Sequence, residues 1–378
     1  MSDIKLHRLG TLMEPEPGNA DEAEGVLNPA AARGPDGQLY LFPRLVGKGN
    51  YSRIGIARVQ FDGQGDPAGV ERLGIALEPE ADYEIRPNGG GGCEDPRVTF
   101  VEPLGHYVMT YTAFSPNGPR IAVAVSEDLL QWRRIGLVTF EPYEGIAFDG
   151  IDNKDASLFP MAVTNPKGEH AIALLHRPLF PGTRPEEKSQ KRELNVKDLH
   201  RESIWISYRL LDVDSRETTK LSHFTSHHRL AAPSAAWEHL KIGGGAPPVL
   251  TPQGWLMVYH GVREKDQKSD GVHPLCYSAG IMLLEDGHPQ RVLYRSPEPV
   301  LTPELQDERI GTIGDVVFPT GIDRRDDLGQ PNRFDIYYGM ADDKIGVASL
   351  LLPDGLAELG RHDSRNELAS HQVTSTNA

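Results

Sequence analysis

Gly89, Gly90, Gly91 and Gly92 run directly into Cys93, Glu94, Asp95, Pro96 and Arg97, so two carboxylates and a guanidinium stand behind a backbone with almost no bulk. Glycine permits positive φ and close approach of a ligand, and Pro96 stiffens the exit of the turn. Carboxylate acceptors beside guanidinium donors suit a polyhydroxylated ligand. A turn closed by a structural Asp–Arg pair would use the same residues. Four further clusters place charged side chains in glycine- and proline-rich settings: Asn153 to Pro160, Leu175 to Pro178, Lys241 to Pro248 with Tyr259 to Gly261, and Gly314 to Pro319 with Tyr338 to Asp342.

Residues so scattered need a fold that brings distant segments to one place. Runs such as Arg53 to Val59, Tyr107 to Thr112, Arg120 to Val125, Ala171 to Leu175, Ser203 to Tyr208 and Trp255 to Tyr259 have strand length and are bounded by Gly, Pro, Asn or Asp. Helical periodicity is nearly absent. Related runs at Arg53, Arg120, Ser203, Tyr277 and Lys344 recur at roughly 65 to 85 residues, enough for a four-stranded blade with its loops. Five units predict an all-β, five-bladed β-propeller, in which equivalent strands point at one central channel. The catalytic domain is expected over 28–360, with an N-terminal extension at 1–27 and a polar C-terminal tail at 361–378. Residues 181–202 break the pattern with a charge-dense insertion, read as a surface loop or short helix.

Composition narrows the partners. A chain of 378 residues with 38% hydrophobic content can bury a large core, and its net charge of −15 argues against nucleic acid. Two distant cysteines, Cys93 and Cys276, indicate neither a disulfide framework nor a Cys-based zinc site, and the histidines are dispersed, so no metal is expected. The first ten residues hold no apolar signal core, and no stretch approaches the ~20 apolar residues of a membrane span. A cytoplasmic protein without membrane partners is expected, with homo-oligomerisation as the usual prior.

Taken in order, Gly-Cys-Glu-Asp-Pro-Arg, Tyr-Thr-Ala-Phe, Asn-Lys-Asp with Leu-Phe-Pro, His-Arg-Pro, Lys-Ile-Gly-Gly-Gly-Ala-Pro-Pro, Tyr-His-Gly-Val and Asp-Val-Val-Phe-Pro-Thr-Gly resemble the glycoside hydrolase family 130 β-mannoside phosphorylases, from about Asn28 to Ala348. The resemblance implies a five-bladed propeller, in agreement with the repeat count. It implies reversible, inverting phosphorolysis of a β-mannoside to α-mannose 1-phosphate and a shortened acceptor, with inorganic phosphate as co-substrate and no cofactor.

Inverting hydrolysis needs an acid and a base, whereas phosphate is already anionic and needs an acid and a cationic cradle. By motif match Asp155 is the acid, acting through a sugar hydroxyl; its structural alternative is a turn-capping Asp paired with Lys154. Arg177, Lys241 and His260 form the expected phosphate cradle, and bound phosphate would favour the cationic form of His260. Arg53, Glu94, Asp95, Arg97, Asp315 and Asp342 are expected to hold the mannosyl unit. Tyr111, Phe114, Trp205 and Trp237 are candidate stacking platforms, with core packing the commoner role for such aromatics. Two other readings remain: a β-mannosidase of the same fold, and a non-catalytic carbohydrate-binding propeller. Acceptor and linkage are open.

Overall fold

Short β-branched and aromatic runs, each cut off by glycine, proline or a turn-forming Asn or Asp, favour pleated strands joined by tight turns over helices. The computed structural model describes residues 4, 6–143, 145–180, 199, 201–211, 217–265, 274–356 and 358, and the one α-helix whose bounds lie within them is a single turn, α1 (Gln306–Arg309). The insertion expected at 181–202 falls outside the described residues except for its last members, and the tail at 361–378 lies wholly outside them.

Strand β1 (His7–Met13) comes first in the chain and pairs last. A first meander holds β2 (Gly25–Arg33), β3 (Leu39–Gly47), β4 (Tyr51–Phe61) and β5 (Pro67–Leu77). A second holds β6 (Gly91–Val101), β7 (His106–Ser115), β8 (Gly118–Ser126) and β9 (Arg133–Leu137). The third is built from β10 (Thr139–Phe140), β11 (Asp152–Leu158), β12 (Val163–Thr164), β13 (His170–Leu179), β14 (Ile204–Leu210) and β15 (His223–Ala231). The fourth comprises β16 (Lys241–Gly244), β17 (Val249–Thr251), β18 (Gly254–Glu264), β19 (Leu275–Leu284) and β20 (Val292–Arg295). The last is β21 (Val317–Arg324), β22 (Arg333–Met340) and β23 (Lys344–Leu351), completed by β1 antiparallel to β23. The segment expected as an N-terminal extension thus contributes a strand to the final sheet. Tyr51 and Ser52 of β4 pair in parallel with Gly91 and Gly92, which joins the first two meanders into one sheet.

Five apolar clusters lie between sheets. Phe42 and Ile54 meet Met109 and Ala122; Val123 and Val125 meet Leu158 and Leu174; Leu175 and Ile206 meet Trp255 and Met257. Leu256 and Ile281 meet Phe334 and Ile336, and Tyr337 and Val347 of the last sheet meet Leu41 and Val59 of the first. The succession of sheets therefore returns to its start, and each cluster removes its members from water on both sides. The leading strands are also neighbours, with β2 against β21 and β6, and β11 against β6 and β16.

Leading strand β21 shifts its pairing between Pro319 and Gly321, and three other leading strands shift at a comparable place around a left-handed residue. Pairing shifts between Leu27 and Ala30, between Glu94 and Arg97, and between Lys154 and Ser157. Each shift holds one left-handed residue: Asn28 (φ 45°), Asp95 (φ 47°) and Asp155 (φ 56°). Asn and Asp tolerate that backbone better than other side-chain-bearing residues, and a bulge re-aims the side chain it carries. The fold thereby turns polar residues inward from otherwise apolar strands.

Candidate active site

Asp155 sits at the centre of a basic cluster and is 1% exposed. Its Oδ2 accepts a hydrogen bond from Arg177 Nε at 2.6 Å, and His260 Nε2 lies 3.7 Å from the same oxygen. Arg97 Nη2 lies 3.6 Å from Oδ1. Strand pairing produces this convergence: Lys154 faces Arg177 across β11 and β13, and Gly243 faces His260 across β16 and β18. Arg97 is fixed by donating to the carbonyls of Gly245 (3.1 Å), Gly244 (3.1 Å) and Asp95 (2.8 Å). Arg177 also pairs with Glu202.

Burial alone would raise the Asp155 carboxyl, but Arg177, with His260, Arg97 and Lys154, outweighs it and holds the group below the usual carboxylate range. The cations shift the other way. Burial, reinforced by Arg177 and opposed by Asp155, pulls Lys241 down to about 8. Burial and Arg177 also lower Lys154, and burial drives His260 well below its ordinary value. Neither ring nitrogen of His260 has a hydrogen-bond partner among the described residues. Buried polar atoms without partners are uncommon and here face a cluster of positive charge. Phe318 packs on the His260 ring at 4.4 Å, and Lys241 Nζ lies 5.4 Å from the Tyr277 ring centre.

An acidic cluster adjoins the basic one. Arg44 Nη2 pairs with Glu94 at 3.0 Å, Arg44 Nη1 reaches Asp95 at 3.3 Å, and Asn28 Nδ2 donates to Asp95 at 2.8 Å. Asp342 faces this group. Burial, with Asp95 and Glu94 adding to it against Arg44, pushes its carboxyl up to about 6. Burial likewise raises Glu94. Asp315 stands at the rim, paired with Lys265, while its carbonyl accepts the Tyr277 N–H at 3.0 Å.

Raising a carboxyl from 3.8 to about 6 means that the folded chain holds the extra proton between those values. Ionised Asp342 therefore opposes folding fully above about pH 6, and the cost fades as pH falls toward 4. Asp342→Asn is expected to stabilise the free protein at pH 7.5 by on the order of 2 to 3 kcal/mol. Its advantage in thermal denaturation should shrink at pH 5; a variant equal to the native chain at both pH values would contradict the assignment.

Of the ten expected site residues, the structure brings nine to these clusters or their rim and leaves out Arg53. Ser52 turns its hydroxyl toward Arg44, accepting from Nε at 2.9 Å. Its neighbour on an alternating strand must face the other way, and Arg53 pairs with Glu78 at 2.7 Å and Asp21 at 2.9 Å. Arg44 occupies the place expected for Arg53. Of the candidate stacking aromatics, Tyr111, Trp205 and Trp237 take the commoner role of core residues, while Phe114 lies under Arg86, which acts on Glu94. Tyr277 and Phe318 are the rings at the site. Asn28 and Arg44 were signalled only faintly, as single polar residues inside apolar strand sequence.

Close packing supports the central carboxylate. A Cβ on Gly243 would overlap both an Asp155 carboxylate oxygen and the His260 ring. Gly243→Ala is expected to lower turnover roughly hundredfold, since displacement of about an ångström from a reactive geometry costs that much. Circular dichroism should show the fold intact; unimpaired turnover would show that the Asp155–His260 spacing is unimportant. Among the described residues no group of His, Cys, Asp and Glu could hold a metal ion, and Cys93 and Cys276 are buried free thiols. Among the described residues no helix is long and apolar enough to cross a membrane.

A curled all-β fold with a buried carboxylate ringed by cations, next to an acidic hydrogen-bonding cluster, defines a site for an anion beside a polar ligand. A family model described as β-1,4-mannooligosaccharide phosphorylase matches residues 8–179 and 204–354. The chain belongs to this family of mannoside phosphorylases, glycoside hydrolase family 130. It is 31% identical over 360 residues to a 1,2-β-oligomannan phosphorylase of Thermoanaerobacter sp. (strain X514), covering 93% of this chain and 99% of the relative. A β-1,2-mannobiose phosphorylase from the same organism is 30% identical over 69% of this chain and 68% of its own. The solved β-1,2-mannobiose phosphorylase of Listeria innocua, in complex with β-1,2-mannobiose, shares the fold with a TM-score of 0.66 at 21% identity, covering 93% of this chain and 97% of its own.

Proposed function

We propose that this chain is a five-bladed β-propeller enzyme that cleaves β-1,2-mannosides by inverting phosphorolysis, releasing α-mannose 1-phosphate and a shortened acceptor. The observation that carries the reading is Asp155, a buried carboxylate held by Arg177 with Arg97 and His260 close by. The propeller reading is supported by five meanders whose apolar clusters link each to the next and the last to the first. In it the unit over 28–360 is closed by β1. The β-1,2 linkage is favoured by likeness over nearly the whole chain to a β-1,2-oligomannan phosphorylase.

The roles follow from charge and position. Glu94, Asp95, Arg97 and Asp342, with Arg44 and Asn28, bind the mannosyl hydroxyls, and Asp315 closes the rim. Arg177, Lys241 and His260 bind phosphate, which attacks the anomeric carbon from the face opposite the leaving oxygen. Asp155 supplies the proton through a sugar hydroxyl. In the free site its carboxyl is ionised, because cations outweigh burial. Phosphate beside Arg177 and Lys241 screens those cations, so the Asp155 pKa rises and the carboxyl can carry the proton to be donated. A cationic surrounding suits an anionic nucleophile better than water, which needs a carboxylate base. A sugar phosphate is charged and retained in the cell, so the reaction belongs in the cytoplasm.

Synthesis tests the acceptor and linkage together. With α-mannose 1-phosphate as donor, phosphate release is expected with mannose or β-1,2-mannooligosaccharides as acceptors, yielding β-1,2 products. Phosphate release with only β-1,4 products would overturn the linkage, and no release with any of mannose, glucose, N-acetylglucosamine or mannobioses would overturn the phosphorylase.

A further inference from the structure

Glu202 stands where the proposed cradle would meet phosphate. It is the last residue of the charge-dense insertion, and its backbone carbonyl accepts the Ile242 N–H at 3.1 Å, which fixes it beside Lys241. Its carboxylate pairs with Arg177 Nη1, while the same guanidinium donates through Nε to Asp155. One cation thus carries two carboxylates. They are not equivalent: the Asp155 side chain is 1% exposed and that of Glu202 is 21% exposed. A phosphate oxygen offers Arg177 the same negative charge and hydrogen-bond acceptor that the Glu202 carboxylate does.

We infer that Glu202 is a built-in competitor of phosphate for Arg177, setting phosphate affinity below what the cations alone would give. The inference rests on the reading of Arg177 as a phosphate ligand. Phosphate entering beside two ionised carboxylates meets repulsion from both. Asp155 is enclosed and needed for proton transfer, so Glu202 is the group that yields. Its side chain has solvent on one side to receive it.

Titration calorimetry with inorganic phosphate on the full chain tests this directly. Glu202→Gln is expected to bind phosphate about fivefold more tightly than the native chain, the scale of a partly exposed ion pair. In phosphorolysis the gain should fall on the phosphate KM and not on kcat. Glu202→Asp, one methylene shorter, should move in the same direction and decides the matter if the Gln variant does not fold. Equal or weaker phosphate binding by the variants would overturn the inference alone, showing Glu202 to be indifferent or to hold Arg177 in place. A native chain and variants that bind no phosphate at all would overturn both the inference and the phosphorylase reading.

Discussion

Asp155→Asn is expected to cut kcat for phosphorolysis by about 10³-fold, within the usual span for loss of a general acid, while phosphate binds more tightly. The substitution is conservative in shape. Asparagine tolerates the left-handed backbone of Asp155 (φ 56°), and its amide oxygen can still accept from Arg177 Nε. What is lost is the proton and the negative charge. Arg177, Arg97 and Lys154 then lose a shared counter-charge, which favours an incoming anion but leaves buried cations less balanced. The free variant should therefore melt below the native chain, by a deficit of about 3 kcal/mol when a buried pair is broken, and added phosphate should restore most of it. Single-turnover kinetics and phosphate titration separate the effects. Retained turnover would place the acid elsewhere, and weakened phosphate binding would show that Asp155 positions the cradle more than it opposes the anion.

Arg177→Ala should raise the phosphate KM by about 10²-fold, the equivalent of ~3 kcal/mol for truncating one partner of a buried charged contact. The mannoside KM should change much less, since Glu94 and Asp95, proposed to bind the mannosyl hydroxyls, pair with Arg44 and not with Arg177. Arg177→Lys keeps a charge but loses the planar fork, and about a tenfold rise is expected. Initial rates over a matrix of phosphate and mannoside concentrations resolve the two constants. A proportional rise in both would mean that Arg177 shapes the whole pocket and does not serve phosphate alone.

The sequence made the chemistry more visible than its geometry. Asp155, Arg177, Lys241 and His260 lie in clusters of charged residues among glycines and prolines, each has an ordinary structural explanation when taken singly, and the resemblance to the phosphorylases singled them out; the structure gathers them. The choice between Arg44 and Arg53 was different. Both are single arginines in strand-like sequence, and only the pairing of β3 with β4, with Ser52 turned toward Arg44, decides which faces inward. The aromatics could not be sorted for a related reason. Trp205 and Trp237 fill gaps between sheets, a consequence of long-range packing, whereas Phe318 gains its place from the neighbouring His260. The pairing of β1 with β23 joins opposite ends of the chain, which no local pattern announces. Burial, equally invisible in sequence, pushes His260 well below its ordinary value, with Asp155 opposing the shift.

The decisive measurement is β-1,2-mannobiose cleavage followed by proton and phosphorus NMR, with and without inorganic phosphate. Phosphorolysis through Asp155 predicts α-mannose 1-phosphate and mannose in equal amounts, formed only when phosphate is present. Two molecules of free mannose appearing at the same rate without phosphate would contradict it.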